Sequence, residues 1–476
     1  MKTRGLFKKR ILLLVLILFL GGVMIFNCYK PLPKGLSYEG PIHKTDDIKM
    51  YSNLYYKNGG KTVFQEQIFN RINQMIKEAD QFIVIDLFLL NGYIDDGVNY
   101  PKLSEQLTAA LIQKKKANPN IQIAFITDEV NTTYGAHRSK ELHDLTENGI
   151  QVVTTKLEPL RDSNPIYSSV WRTFFQWFGT EGKGWLPNPL SSKAPSVTLR
   201  SYLTLLNVKA NHRKVILTDK TGMVSSANPH DQSGFHANMA FEVKGNVLND
   251  LLKTEKAAAG YSGADSIPGS YKEEEKEQGD MTVRVLTEGK ILKHVEKTID
   301  QAEKGDTLWL GMFYLADRSL VNKLIDASNR GVAINMILDP NKNAFGKQKM
   351  GIPNQPVVKE LTEKTHGKIR VRWYNVKMEQ YHTKTMYLKH KQKGIIIAGS
   401  ANFTKRNLAD LNLETDLKIE GPVNKELMKE MDSYFSRLWN NEDGSYTLPQ
   451  KAYQDTLTPL KRIVFTIQEL LGFTTY

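Results

Sequence analysis

Residues 211–228 read NHRKVILTDKTGMVSSAN, and residues 381–402 read YHTKTMYLKHKQKGIIIAGSAN. Each stretch has an apolar run, a polar turn and a second apolar run, the pattern of a β-hairpin. His212 and Lys214 are two apart and so share one face of their strand. Ser226 and Asn228 do the same on the returning strand or just beyond it. His382 with Lys384, and Ser400 with Asn402, repeat the arrangement. Each hairpin thus offers an imidazole, an ammonium, a hydroxyl and a carboxamide on one side. That set suits a phosphoryl group: Lys and Asn bind its non-bridging oxygens, while His attacks phosphorus or moves protons. A lone His-x-Lys is a weak signal. His366 and Lys368 have no Ser-x-Asn after them and read as an exposed turn. The informative feature is the full set occurring twice.

Working outward, the chain repeats a strand–helix–strand order. Residues 64–79 are predicted as an amphipathic helix, 82–90 as a buried strand, 102–116 as a helix and 121–131 as a strand. In the second half, 291–303 is predicted as a helix, 308–315 as a strand, 317–329 as a helix and 332–341 as a strand. Phe88 then matches Phe313, and Asp128 matches Asp339. The order favours parallel strands with helices packed on them. Together with the paired hairpins it argues for an internal duplication.

The division that follows is a basic segment at 1–10, an apolar run at 11–29, a first lobe at 50–253, a linker at 254–281, a second lobe at 282–445 and a tail at 446–476. The linker reads as solvated because it combines small residues with a charge run. In the tail, Leu460, Ile463, Val464, Ile467, Leu470 and Leu471 share one helical face, with Gly472 as a cap. The tail is read as packing on the body or lying on a bilayer. The first lobe carries an insertion at about 160–205 in which Tyr167, Trp171, Phe174, Phe175 and Phe178 recur at helical spacing, flanked by Trp177 and Trp185. Such a stripe is either core or a lid dipping into a lipid interface.

With 476 residues, 41% hydrophobic and 24% charged, the composition excludes a disordered or collagen-like chain. Cys28 is the single cysteine, which excludes an intrachain disulfide and a four-cysteine zinc site. No convincing His/carboxylate ligand cluster stands out, so neither a metal nor a cofactor is expected. The net charge of +13 favours anionic partners. Lys2, Arg4, Lys8, Lys9 and Arg10 precede the uncharged run Ile11–Tyr29. That run is long enough to span a bilayer, and the basic flank keeps the N-terminus cytoplasmic and exports the rest. The rivals are a cleaved signal peptide, for which no small-x-small site is seen, and lipidation at Cys28, which follows Asn27 rather than a small residue.

The hairpins resemble the HKD motifs of the phospholipase D superfamily, H-x-K-x(4)-D followed by G-S-x-N, and the resemblance spans most of residues 60–440. In pattern the chain is similar to membrane-anchored bacterial cardiolipin synthase and phospholipase D-like proteins. The resemblance implies an α/β fold of two similar lobes, each a mixed β-sheet flanked by helices, related by a pseudo-twofold and preceded by the transmembrane helix. It implies one shared site built from His212, Lys214 and Asn228 of one lobe and His382, Lys384 and Asn402 of the other. Ser226 and Ser400 stand at the family's serine position. Ser225 replaces a glycine, and the family's aspartate is present as Asp219 but is Lys389 in the second motif. Asp219 opens the turn DKTG and is read as turn chemistry.

The family orients each catalytic histidine with a carboxylate beyond the asparagine, for which Glu242 and Glu414 are the candidates. By the same analogy His212 is the nucleophile, forming a phosphohistidine, and His382 the acid/base. The function implied is transfer of a phosphatidyl group to an alcohol or to water, on phosphatidylglycerol or a similar phospholipid, at the extracytoplasmic face of the cell membrane. The alternatives are a nuclease of the same superfamily, which the anchor disfavours, and a catalytically silent lipid-binding protein, to which Lys389 points.

Overall fold

The computed structural model describes residues 2–95, 97–273, 275–344, 347–453 and 458–471. Met1 of the basic segment, Glu274 of the predicted linker, and residues 454–457 and 472–476 of the tail, Gly472 among them, lie outside the described residues.

The first lobe is built on an eight-stranded sheet in the order Lys61–Gln65, Ile48–Asn58, Asn238–Val243, Gly222–Ser225, Lys214–Thr218, Phe82–Leu87, Gln122–Asp128, Gln151–Thr155. The second sheet follows the same path: Thr282–Thr287, Thr415–Pro422, Lys393–Gly399, Lys384–His390, Thr307–Met312, Ala333–Leu338, Arg370–Tyr374. In each sheet the strands of the strand–helix–strand segment run parallel, and the hairpin strands join them antiparallel. Both sheets are therefore mixed, and the parallel expectation applies only to that segment.

Each sheet buries both faces. One hydrophobic core lies between the sheets and joins Val84, Val215 and Phe241 of the first lobe to Tyr387, Ile396 and Leu417 of the second. Helices Val247–Tyr261 and Glu426–Asn440 contribute to it. Two further cores seal the outer faces beneath helices such as Ile68–Glu78 and Leu103–Ala117 on one side and Gly289–Asp300 and Arg318–Asn329 on the other. The strands read as apolar runs because burial on both faces removes the need for polar alternation.

Several boundaries differ from expectation. The helix predicted at 64–79 begins at Ile68, because Lys61–Gln65 pairs with Ile48–Asn58 across a turn in which Gly59 and Gly60 take φ of 55° and 80°. Residues 254–261, predicted as linker, complete the helix Val247–Tyr261 and bury Thr254, Glu255, Ala258 and Ala259. Runs of alanine suggest a spacer by size, yet alanine is the best helix former. In the tail, Thr447–Pro449 forms an edge strand on Arg372–Tyr374. The helix Thr458–Leu471 turns Lys461 and Phe465 inward, with Lys461 Nζ 2.9 Å from Gln355 Oε1. Leu460, Ile463 and Ile467 stay exposed, so these three residues of the predicted stripe point away from the body that the helix packs on.

At the N-terminus, Leu6–Tyr29 is, among the described residues, the helix long and apolar enough to cross a membrane. It is largely exposed until its last turns, which pack against the insertion helix Pro165–Phe174. There Asn27 is buried and its carbonyl accepts from Asp162 N–H at 3.1 Å.

Candidate active site

The two hairpins meet because each is stitched to the opposite lobe immediately before its histidine. Asn211 bridges to Leu413 in parallel, and Ala237 bridges to Tyr381 in the same way. His212 N–H donates to Leu413 C=O at 2.9 Å, and His382 N–H donates to Ala237 C=O at 2.8 Å. The same relation recurs one layer deeper. Asp128 accepts from Asn211 N–H at 2.6 Å, and Asp339 from Tyr381 N–H at 2.7 Å. These matched contacts are the pseudo-twofold, written in hydrogen bonds.

The result is a pair of imidazoles whose ring centroids lie 6.5 Å apart in one cavity of ≈ 220 Å³. Asn228 and Asn402 line the same cavity, and the Oδ1 atoms of both are buried with no hydrogen-bond partner among the described residues. Lys214 and Lys384 are fully buried, and each Nζ donates to the carbonyl of its own histidine, at 2.7 and 2.6 Å. Phe88 and Phe313 pack edge-on or tilted against His212 and His382 at 5.1 and 5.0 Å, and each also underlies a lysine at 5.2 Å.

Burial is the largest influence on the electrostatics of the site. Burial lowers the Lys214 ammonium to about 7. Burial and the Lys214 charge beside it lower Lys384 further. Both histidines are pushed well below the usual imidazole range, His212 by burial and then Lys214 and Lys384, His382 by burial and then Lys384 and His236. An anion placed between them would oppose all four shifts, since an opposite charge favours the protonated forms.

The lobes differ in what orients each histidine. Nδ1 of His212 donates to Glu414 at 2.9 Å, across the interface. Ser400 Oγ and Asn407 Nδ2 also donate to this carboxyl, which burial pushes well above the usual carboxylate range although Lys214 opposes the shift. His382 Nδ1 instead faces Ser226 C=O at 2.9 Å and Asn238 Oδ1 at 3.2 Å. Asn238 occupies the place equivalent to Glu414: Ser226 Oγ donates to its side chain and accepts from Met239 N–H, just as Ser400 Oγ accepts from Thr415 N–H. The expectation for Glu242 is therefore corrected. Its carboxylate pairs with Arg71 at 2.7 Å and accepts from Thr221 Oγ1 at 2.8 Å, away from either histidine. Spacing misled because the first lobe reaches its pairing strand in fewer residues, which puts Asn238 rather than Glu242 at the bridge.

Asp219 lies in the hairpin turn, where its carboxylate accepts from Asp80 and Gln81 N–H at 2.8 and 3.2 Å. Lys389 is at the equivalent end of the second hairpin, paired with Asp432 at 2.9 Å. Neither lines the cavity. His366 is exposed in a turn with φ 52°. Two residues that the sequence reading passed over belong to the site. Asn238 is one. The other is His236, whose ring lies 5.9 Å from that of His382 and whose burial lowers it to about 3. Both sit in HANM, and the signal was their position across from Tyr381–His382 in the lobe pairing. Behind the strand, Arg213 points away from the cavity into a buried ion pair with Glu288 at 2.7 Å, which fixes the strand on which His212 and Lys214 stand. Among the described residues no group of His, Cys, Asp and Glu forms a metal cluster.

Residues 295–439 match the family model described as cardiolipin synthase, PLD-like domain. The match spans most of the second lobe, including its hairpin at 381–402, and the first hairpin lies outside it. More particularly, the chain is similar in fold to the crystal structure of phosphatidylserine synthase from Haemophilus influenzae Rd KW20, with a TM-score of 0.60 at 11% identity over 91% of this chain and 96% of that one. A polyphosphate kinase from Porphyromonas gingivalis aligns at a TM-score of 0.43 and 10% identity over 82% of this chain and 50% of its own, too distant to carry an argument. No curated protein matches the sequence.

Proposed function

We propose that this protein is a membrane-anchored phosphatidyltransferase or phosphodiesterase that works through a phosphohistidine. The observation that carries the reading is the convergence of His212 and His382 on one cavity flanked by two buried lysines and two asparagines. With ring centroids 6.5 Å apart, both imidazoles border the space that one phosphoryl group would occupy.

In its ionised form Glu414 only accepts, which holds the proton of His212 on Nδ1 and leaves the Nε2 lone pair free. Nε2 attacks phosphorus, the bond to the leaving alcohol breaks, and the ring becomes a phosphoimidazolium whose positive charge faces Glu414. His382 gives its proton to the leaving oxygen. It then takes a proton from the incoming alcohol or water, whose oxygen displaces His212 from phosphorus. Lys214, Lys384, Asn228 and Asn402 balance the charge on the non-bridging oxygens throughout. The phospholipid substrate is supported by the family matched and by the helix Leu6–Tyr29, which is long and apolar enough to cross a membrane. The silent-protein alternative loses its ground, since Lys389 is remote from the cavity.

The test is thin-layer analysis of phosphatidylglycerol incubated with the reconstituted chain. Cardiolipin plus glycerol identifies transfer, and phosphatidic acid identifies hydrolysis. Both products should vanish in His212→Ala and in His382→Ala. Full turnover in either variant refutes the shared site, and plasmid nicking without lipid turnover favours the nuclease.

A further inference from the structure

The insertion of the first lobe has two faces. One lines the reaction cavity through Leu190 and Leu205. The other leaves Ile166, Phe174, Phe175, Trp177, Phe178 and Trp185 exposed, Trp177 at 74% and Trp185 at 69%. Trp171, which shares the predicted stripe, packs inward instead and is 6% exposed. Exposed aromatics at this density on one segment need a partner.

The anchor helix identifies that partner. Its partly buried stretch, from Leu20 to Cys28, is where the helix packs against Pro165–Phe174. At 1.5 Å per residue, Leu20 lies about 14 Å below Tyr29 along the helix. The insertion helix is therefore held beside the outer half of the anchor's apolar run, which ends at Tyr29 in the interface. Tryptophan is favoured at that interface, and segments that carry tryptophan and phenylalanine bury about 5–10 Å into it. Lys183 and Arg200, exposed on the same insertion, suit anionic headgroups.

We propose that the insertion is a membrane-seated wall. Its aromatic face sits in the interface of the bilayer that holds the anchor, and a phospholipid passes along it into the His212–His382 cavity without crossing water. This rests on the anchored-enzyme reading, and its test separates the two. The full chain is reconstituted into vesicles of phosphatidylcholine and phosphatidylglycerol brominated near the headgroup end of the acyl chains. Flotation with the vesicles checks the anchor alone. Tryptophan quenching then reports the insertion: the wild type should be quenched at least twice as strongly as W177F/W185F, which keeps the apolar surface and removes the two exposed indoles. Equal quenching in a floating, folded chain overturns the proposal whatever the enzyme does. For the lipid path, W177S/F178S/W185S should raise the vesicle KM about tenfold or more, with dioctanoyl-phosphatidylglycerol monomers turned over as before. An unchanged vesicle KM contradicts the path.

Discussion

Glu414 of the second lobe accepts a hydrogen bond from His212 of the first at 2.9 Å, while Asn238, its counterpart across the pseudo-twofold, faces His382 at 3.2 Å. One histidine thus leans on a carboxylate and the other on neutral oxygens. The two imidazoles are distinguished by this pair rather than by their motifs, which are nearly identical. Glu414→Gln should lower kcat by about 10²-fold or more, since replacing an orienting carboxylate by an amide spoils the tautomer. Asn238→Asp should act on the pH profile. A carboxylate beside His382 favours its imidazolium, so the basic limb of kcat/KM moves to higher pH. An unmoved limb in an active variant counts against His382 as the acid.

The lysines set the pH dependence of anion binding. Burial brings Lys214 to about 7, so above that pH the cavity loses positive charge. Sulfate keeps its charge across the neutral range and is a suitable probe. Calorimetry should show its affinity falling as pH rises through about 7, and Lys214→Met should weaken binding at pH 6 and flatten the dependence. Binding by the wild type that is indifferent to pH would contradict this electrostatic picture.

The aspartate of the first motif has a different job. Asp219 ties the hairpin turn to the start of the strand Phe82–Leu87 through two backbone donors. Asp219→Ala should cost about 1–2 kcal/mol of stability, seen as a lower Tm, with kcat on lipid unchanged. Lys389→Asp should likewise leave kcat unchanged. A collapse of kcat in either folded variant would return the position to the chemistry.

Glu242 makes a stability prediction. Burial raises its carboxyl, but the hydrogen bonds from Arg71 and Thr221 outweigh it and leave the group below its ordinary value. A depressed carboxyl stabilises the fold above its unfolded value of about 4.3, and that contribution is lost as pH falls through the folded value. Glu242→Gln should lower Tm at pH 7, shrink the loss of Tm on acidification, and leave the pH profile of kcat in place. A shifted kcat profile would put Glu242 back beside a histidine.

The hairpins carried most of the fold because period-two spacing places His212 with Lys214 and His382 with Lys384 on one face whatever surrounds them. The repeat of Phe88 with Phe313, and of Asp128 with Asp339, was legible for the same reason: each lies at the C-terminal end of a strand, where apolar run turns to polar loop. The strands Ile48–Asn58 and Thr282–Thr287 were passed over, since their pairing partners, Asn238–Val243 and Thr415–Pro422, are remote in sequence. The swap of Glu242 for Asn238 had the same cause. Which residue faces a histidine is decided by the register of a bridge between lobes, and no local pattern encodes that register.

The central claim is a covalent bond between phosphorus and His212. The direct measurement is to quench the reconstituted enzyme during turnover of phospholipid labelled at phosphorus, digest it at alkaline pH, and map the label by mass spectrometry. The account predicts label on Nε2 of His212, accumulating in His382→Ala and absent in His212→Ala. Label on His382 instead, or rapid turnover with no acid-labile label on either residue, would contradict it.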